Sequence, residues 1–154
     1  MGKIHVFKTE QKIPASIDQV WDFISQPANL KEITPSYMGF DIKSQEDLSK
    51  MYAGMIITYA VKPLFNIPLR WVTEITHVQD KEYFVDEQRF GPYALWHHKH
   101  FIKPIEGGAL MTDIVHYKLP LGFLGDIGAG FVRGKLKEIF DFRFAAVEKK
   151  FGKL

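Results

Sequence analysis

His98 and His100 stand two residues apart in a segment of strand character, Ala94–Ile102, so both imidazoles project from one face. The same alternation in neighbouring segments adds Asp86 and Gln88 on one side, and Asp113 and Tyr117 on the other. Imidazole, carboxylate, phenol and amide together support four kinds of chemistry. They can form a buried hydrogen-bond network that satisfies itself. They can orient the polar end of an otherwise apolar molecule. A histidine held by Asp86 or Asp113 can take a proton beside a carbonyl while Tyr117 donates to the oxygen. That arrangement suits an aldol-type cyclisation, a dehydration or an isomerisation, and makes His98, Asp86, Asp113 and Tyr117 the catalytic candidates. Two imidazoles at this spacing can also share a metal ion with a carboxylate. No further motif supports ligation, so no metal and no cofactor is expected. Covalent catalysis is disfavoured, since the chain has no cysteine and no Gly-x-Ser-x-Gly turn.

The faces follow from charges that cannot be buried unpaired. Lys99 shares a face with Leu95 and His97, leaving Trp96, His98 and His100 inward. In Leu110–Leu119, Lys118 faces out with Thr112 and His116, so Met111, Asp113, Val115 and Tyr117 point in. Glu87 and Arg89 send Phe84, Asp86, Gln88 and Phe90 inward, and Arg70 and Glu74 do the same for Leu69, Trp71, Thr73, Ile75 and His77. Lys62 and Thr58 leave Met55, Ile57, Tyr59 and Val61 on the inner face. The inner surface therefore has an oily end and a hydrogen-bonding wall.

The elements that carry these rows read in a simple order. Lys3–Ile13 is a first strand, and Ser16 with Gln19 forms a capping box before a helix carrying Ile17, Val20, Trp21 and Ile24 on one face. Pro27 ends that helix and starts a second short one that stops at Pro35. The period then changes to two. Tyr37–Gln45, Met51–Val61, Leu69–Val78, Tyr83–Phe90, Tyr93–Lys103 and Ala109–Leu119 are predicted as strands of an antiparallel meander. From about Gly122 to Phe151 the spacing of Val132, Leu136, Phe140, Phe144 and Phe151 predicts one long helix, with Lys149, Lys150 and Lys153 at its C-terminal end.

Composition bounds the rest. A chain of 154 residues with 46% hydrophobic and 25% charged residues is expected to be one soluble domain, residues 1–154, with a continuous core. A net charge of +2 is too small for a nucleic-acid surface. The absence of cysteine, of a secretory leader and of a run of roughly 20 apolar residues fits a cytoplasmic protein without a membrane span. Thirteen Phe, six Tyr and three Trp are enough to line an apolar pocket.

Ile13-Pro14-Ala15-Ser16 through Val20-Trp21, then Leu30 and Thr34-Pro35, resemble the opening of the SRPBCC superfamily, the helix-grip fold of START-like and polyketide cyclase-like proteins. Phe84, Asp86, Gln88, Gly91-Pro92, Trp96, His98, His100, Asp113, Tyr117 and Pro120 resemble one bacterial branch of it. The resemblance implies an α+β fold in which a curved seven-stranded antiparallel sheet wraps a long C-terminal helix, with two short helices after the first strand and a long cavity between sheet and helix. It names no substrate, because the superfamily holds carriers, receptors and enzymes.

A hairpin closed about Gly107-Gly108 would set His98 opposite Tyr117 and His100 opposite Val115. Loops at Gly91-Pro92 and Asp80-Lys81 would set Asp86 opposite His98 and Ile75 opposite Asp86. Asp86, His98 and Tyr117 then form one transverse row. The predicted lining is Tyr59, Trp71, Phe84, Asp86, Gln88, Trp96, His98, His100, Asp113, Tyr117 and Phe131. Gly122, Gly125, Gly128, Gly130 and Gly134 either make room under the helix or let its backbone pack closely on the sheet. The apolar loop Pro63-Leu64-Phe65-Asn66-Ile67-Pro68 is an entrance lip or a subunit contact.

The expected function is binding of a small, mostly apolar molecule by a monomer or weak homodimer. The alternatives are the acid–base enzyme described above and an interaction module with a vestigial cavity.

Overall fold

The computed structural model describes residues 2–154 with the exception of Glu46, Leu64 and Phe65. Strand β1, His5–Ile13, leads directly into the predicted capping box. Ser16 Oγ accepts from the Gln19 backbone N–H at 3.2 Å, and Gln19 Oε1 accepts from the Ser16 N–H at 3.0 Å. Two amides that helix geometry leaves unpaired are thereby satisfied at the start of α1, Ile17–Ile24, whose buried side is Val20, Trp21 and Phe23. Pro27 opens a 3-10 turn, Pro27–Lys31, as its fixed φ and missing N–H favour.

Strands β2 (Asp41–Ile42), β3 (Ile56–Val61), β4 (Leu69–Gln79), β5 (Tyr83–Phe90), β6 (Leu95–Ile105) and β7 (Gly108–Lys118) join β1 in one antiparallel sheet. Its order is β1-β7-β6-β5-β4-β3-β2. Helices α2 (Phe123–Ile127) and α3 (Ala129–Phe151) complete the chain, and α3 packs on the sheet. The architecture is the expected α+β helix grip. The strand predicted over Tyr37–Gln45 is mostly absent: a 3-10 turn, Ser36–Met38, ends at Gly39 with φ of 54°, and only the two residues of β2 remain extended. Among the described residues, no helix is long and apolar enough to cross a membrane.

The inward faces of β3, β6 and β7 match the parity argument, and β7 alternates buried with half-buried positions along its whole length. Two inward assignments are corrected. Phe90 is 63% exposed, because a register shift places it opposite Val72 while Gln88 pairs with Thr73, which flips the strand end. His77 is exposed as well: a second shift pairs Ile75 with Asp86 but His77 with Val85, leaving Thr76 as the extra residue. The β4–β5 turn holds three residues, Gln79 pairing with Tyr83, and the bulge at Thr76 offsets it. Ile75 and Asp86 therefore still meet, as predicted.

The single long helix predicted from Gly122 is broken at Gly128 into α2 and α3. Leu136, Phe140 and Val147 are its buried stripe, each contributing about 1.5–3 kcal/mol by burial. The Gln11 side-chain N–H donates to the Phe144 carbonyl at 3.0 Å, and Lys150 lies 4.4 Å over the Phe23 ring, tying the helix to β1 and to α1. The glycines divide by role. A side chain at Gly125 would meet the Pro120 carbonyl oxygen at 2.1 Å, so close packing explains that position. Gly130 and Gly134 are exposed, lie outside the cavity lining and face nothing within 4 Å. Neither room nor packing requires them. Gly134→Ala should therefore raise stability by about 0.5–1 kcal/mol, read as a shift of the urea midpoint at unchanged m-value.

Candidate functional site

Between the sheet and α3 lies a cavity of about 540 Å³. Ile57, Val61, Ile75, Met111, Leu136, Ile139 and Phe140 form much of its oily wall. Ile67, Phe131 and Tyr37 line it while remaining exposed, which puts its mouth beside Ile67 and the start of α3. Pro63 and Ile67 fit the predicted entrance lip, and Leu64 and Phe65 lie outside the described residues. Tyr37 donates to Glu138 Oε1 at 2.8 Å, and partial burial with this carboxylate pushes its phenol up to about 12.

The polar wall is a block of four side chains on three strands. Asp86 pairs with His98 and His100 pairs with Asp113. The hydrogen bonds run along the diagonals. His98 Nε2 donates to Asp113 Oδ1 at 2.8 Å, and His100 Nε2 donates to Asp86 Oδ2 at 2.6 Å. His100 Nδ1 also faces Asp113 Oδ1 at 3.0 Å, whereas His98 Nδ1 is 3.6 Å from Asp86 Oδ2. His100 thus sits between two carboxylates that can only accept, which favours its protonated form. Trp96 Nε1 donates to Asp86 Oδ1 at 3.3 Å, and Phe84 stacks on His100 at 4.0 Å.

Burial and pairing divide the four groups. Burial pushes His98 down and the neighbouring His100 adds to this, so His98 stays neutral near pH 7. Burial also opposes the charge on His100, but its bonds to Asp113 and Asp86 prevail and its pKa is raised. Asp113, 1% exposed, and Asp86 are both held below the usual carboxylate range, the two imidazoles outweighing desolvation. Beside them Tyr59 shares a hydrogen bond of 2.9 Å with Thr73, and burial together with the Asp86 charge pushes its phenol up.

Asp86, His98 and His100 bring one possible ligand atom each within 4.8 Å of one another. A metal ion binds imidazole in the plane of the ring. Here the two rings are 3.6 Å apart between centroids and tilted by 34°, and their Nε2 atoms are bonded to different aspartates, Asp113 and Asp86.

Of the predicted lining residues, Tyr59, Trp71, Phe84, Asp86, Trp96, His98, His100, Asp113 and Phe131 border the cavity. Gln88 and Tyr117 do not. The Gln88 amide closes the loop after β5, donating to the Tyr93 carbonyl at 2.7 Å and accepting from the Tyr93 N–H at 3.1 Å. Tyr117 lies opposite Trp96 rather than His98, with its ring 5.3 Å from His5 and 5.9 Å from Tyr93. The Asp86–His98–Tyr117 row is therefore not formed. The hairpin closes between Ile105 and Gly108, one residue earlier than predicted, which moves each pairing by two and preserves every face. The acid–base scheme loses its phenol donor.

Sequence reasoning overlooked Arg143. It lines the cavity from α3, only 12% exposed, with Nη1 3.9 Å from Asp113 Oδ1 and its guanidinium 4.7 Å over Phe140. The signal was available: Leu136, Phe140, Arg143 and Val147 follow helical spacing, so an arginine sits within the buried stripe.

The chain shares this architecture with solved structures over nearly its whole length. TTHA0849 from Thermus thermophilus is 16% identical, with 96% of this chain and 97% of that chain covered and a TM-score of 0.70. Ara h 8.0201 is 15% identical, covering 96% and 99%, with a TM-score of 0.66. Protein Ms6760 from Mycobacterium smegmatis is 12% identical, covering 94% and 88%, with a TM-score of 0.68. No protein-family model matches the chain, and no curated protein matches its sequence. The likeness is one of fold, the helix grip that the SRPBCC resemblance implied.

Proposed function

We propose that this protein binds a small, mostly apolar molecule between its sheet and its C-terminal helix, as a carrier or a sensor. One observation carries the reading: an interior space of about 540 Å³ has aliphatic and aromatic walls and a compact polar block. A domain that needed no ligand would gain about 25 cal/mol for each Å² of apolar wall that it closed upon itself. The polar block supports binding over turnover. Three of its four imidazole nitrogens already face a carboxylate oxygen within 3.0 Å, and Tyr117, the phenol that turnover would require, does not border the cavity.

The test uses a neutral fluorescent probe, N-phenyl-1-naphthylamine. Its emission should rise on mixing, with energy transfer from Trp71 and Trp96, which border the cavity. Ile139→Trp fills the space from α3 and should weaken the probe by about tenfold or more, because an occupied volume cannot be shared. Native mass spectrometry should show a co-purified organic molecule on the wild type that this variant lacks. A folded protein with neither probe binding nor a co-purified molecule sinks the proposal and leaves the interaction-module alternative standing.

A further inference from the structure

We infer that the ligand carries a carboxylate and that Arg143 holds it, an inference resting on the reading of the cavity as a ligand site. Buried polar groups normally find partners, so those left without one show what a ligand must supply. Among the described residues, two that line the cavity have such an atom, Trp71 Nε1 and Arg143 Nε, and both atoms are hydrogen-bond donors. Trp71 is 9% exposed, and its indole N–H is turned away from bulk water. The acceptors nearby are engaged: Asp86 takes His100 and Trp96, Asp113 takes His98 and His100, and Tyr59 is bonded to Thr73. The space is short of acceptors.

Charge narrows the class. Among the described residues Arg143 has one ion-pair contact, at 3.9 Å, to an aspartate already bound by two imidazoles, so its guanidinium fork is largely unused. A guanidinium is always charged and presents parallel N–H groups that fit a planar carboxylate. Asp86 and Asp113 each have nearer donors than Arg143, in His98, His100 and Trp96, so neither carboxylate occupies the guanidinium fork. A phosphate would bring about two charges against Asp113, which a single guanidinium does not match. Lys135, which also lines the space, is bound to Glu138 at 3.1 Å near the mouth. The apolar tail then lies among Ile57, Val61 and Trp71, at the oily end.

Isothermal titration at about pH 8, where a fatty acid is ionised, compares decanoate with 1-decanol below micelle formation. Wild-type protein should bind decanoate about tenfold or more tightly than decanol, as expected for a charge-assisted pair in a dry site. Arg143→Met should lose about that factor for decanoate and leave decanol within about threefold. Equal wild-type affinities for acid and alcohol overturn the inference while leaving the cavity a ligand site, and they do so even if the variant fails to fold. A preference for decanoate that survives Arg143→Met overturns the assignment to this residue. Failure of both probes, together with failure of the neutral naphthylamine, rejects the binding reading itself.

Discussion

Asp113→Ala is expected to lower the unfolding free energy by about 3–5 kcal/mol at pH 7, the largest effect of any single change in the polar block. Asp113 accepts from His98 at 2.8 Å and faces His100 at 3.0 Å, with Arg143 at 3.9 Å, and it is 1% exposed. Alanine leaves two buried imidazoles without their shared carboxylate and takes away the carboxylate nearest to Arg143. Small domains are stable by about 5–15 kcal/mol, so the variant should be near the edge of folding. Asp113→Asn keeps an acceptor oxygen but not the charge, and should cost less. Urea unfolding followed by tryptophan fluorescence measures both. A loss below about 1 kcal/mol for Asp113→Ala would show that water or rearranged side chains replace the carboxylate.

Acid should unfold the protein in two stages that single variants separate. Asp86 and Asp113 have folded pKa values below their unfolded ones, so their contribution is complete above about pH 4 and is lost as pH falls through the folded values. His98 is also depressed, so its contribution begins to fall once the unfolded chain takes up a proton, below about pH 6.5. His100 has the opposite sign. Its pKa is raised, so its contribution is full below about pH 6.5 and fades as pH rises through the folded value. The histidines therefore oppose one another around neutrality, and the steep loss comes below about pH 4. His98→Gln should flatten the limb between about pH 7 and pH 5, and His100→Gln should abolish the decline on the alkaline side. Midpoints of thermal unfolding across this range read both effects. Profiles that overlay wild type from about pH 4 upward would refute the division into one neutral and one charged ring.

The two predictions rest on features that differ in how far the sequence discloses them. That His98, His100, Asp86 and Asp113 share an interior was readable from Lys99, Lys118, Glu87 and Arg89, because alternation leaves two faces and a lone charge selects the wet one. That His100 bridges both carboxylates was not readable. It depends on which residues face one another across β5, β6 and β7. Arg143 was legible in principle, as a charge within the stripe of α3, but helical spacing alone does not say which neighbours it meets.

The Gly107-Gly108 pair shows the limit most clearly. Both glycines suggest a turn. In the fold Gly107 supplies it, with φ of 82°, while Gly108 already belongs to β7, where a side chain would meet the Ile13 carbonyl oxygen at 2.0 Å. Moving the turn by one residue shifted each pairing by two, replaced Tyr117 with Val115 opposite His98 and brought Asp113 opposite His100. The sequence by itself determined the elements, their order and the face of most residues, since these follow from local periodicity and the cost of burying charge. Only the tertiary structure decided register, bulges and the reach of Arg143 across the cavity, because each depends on contacts between segments that no local pattern encodes.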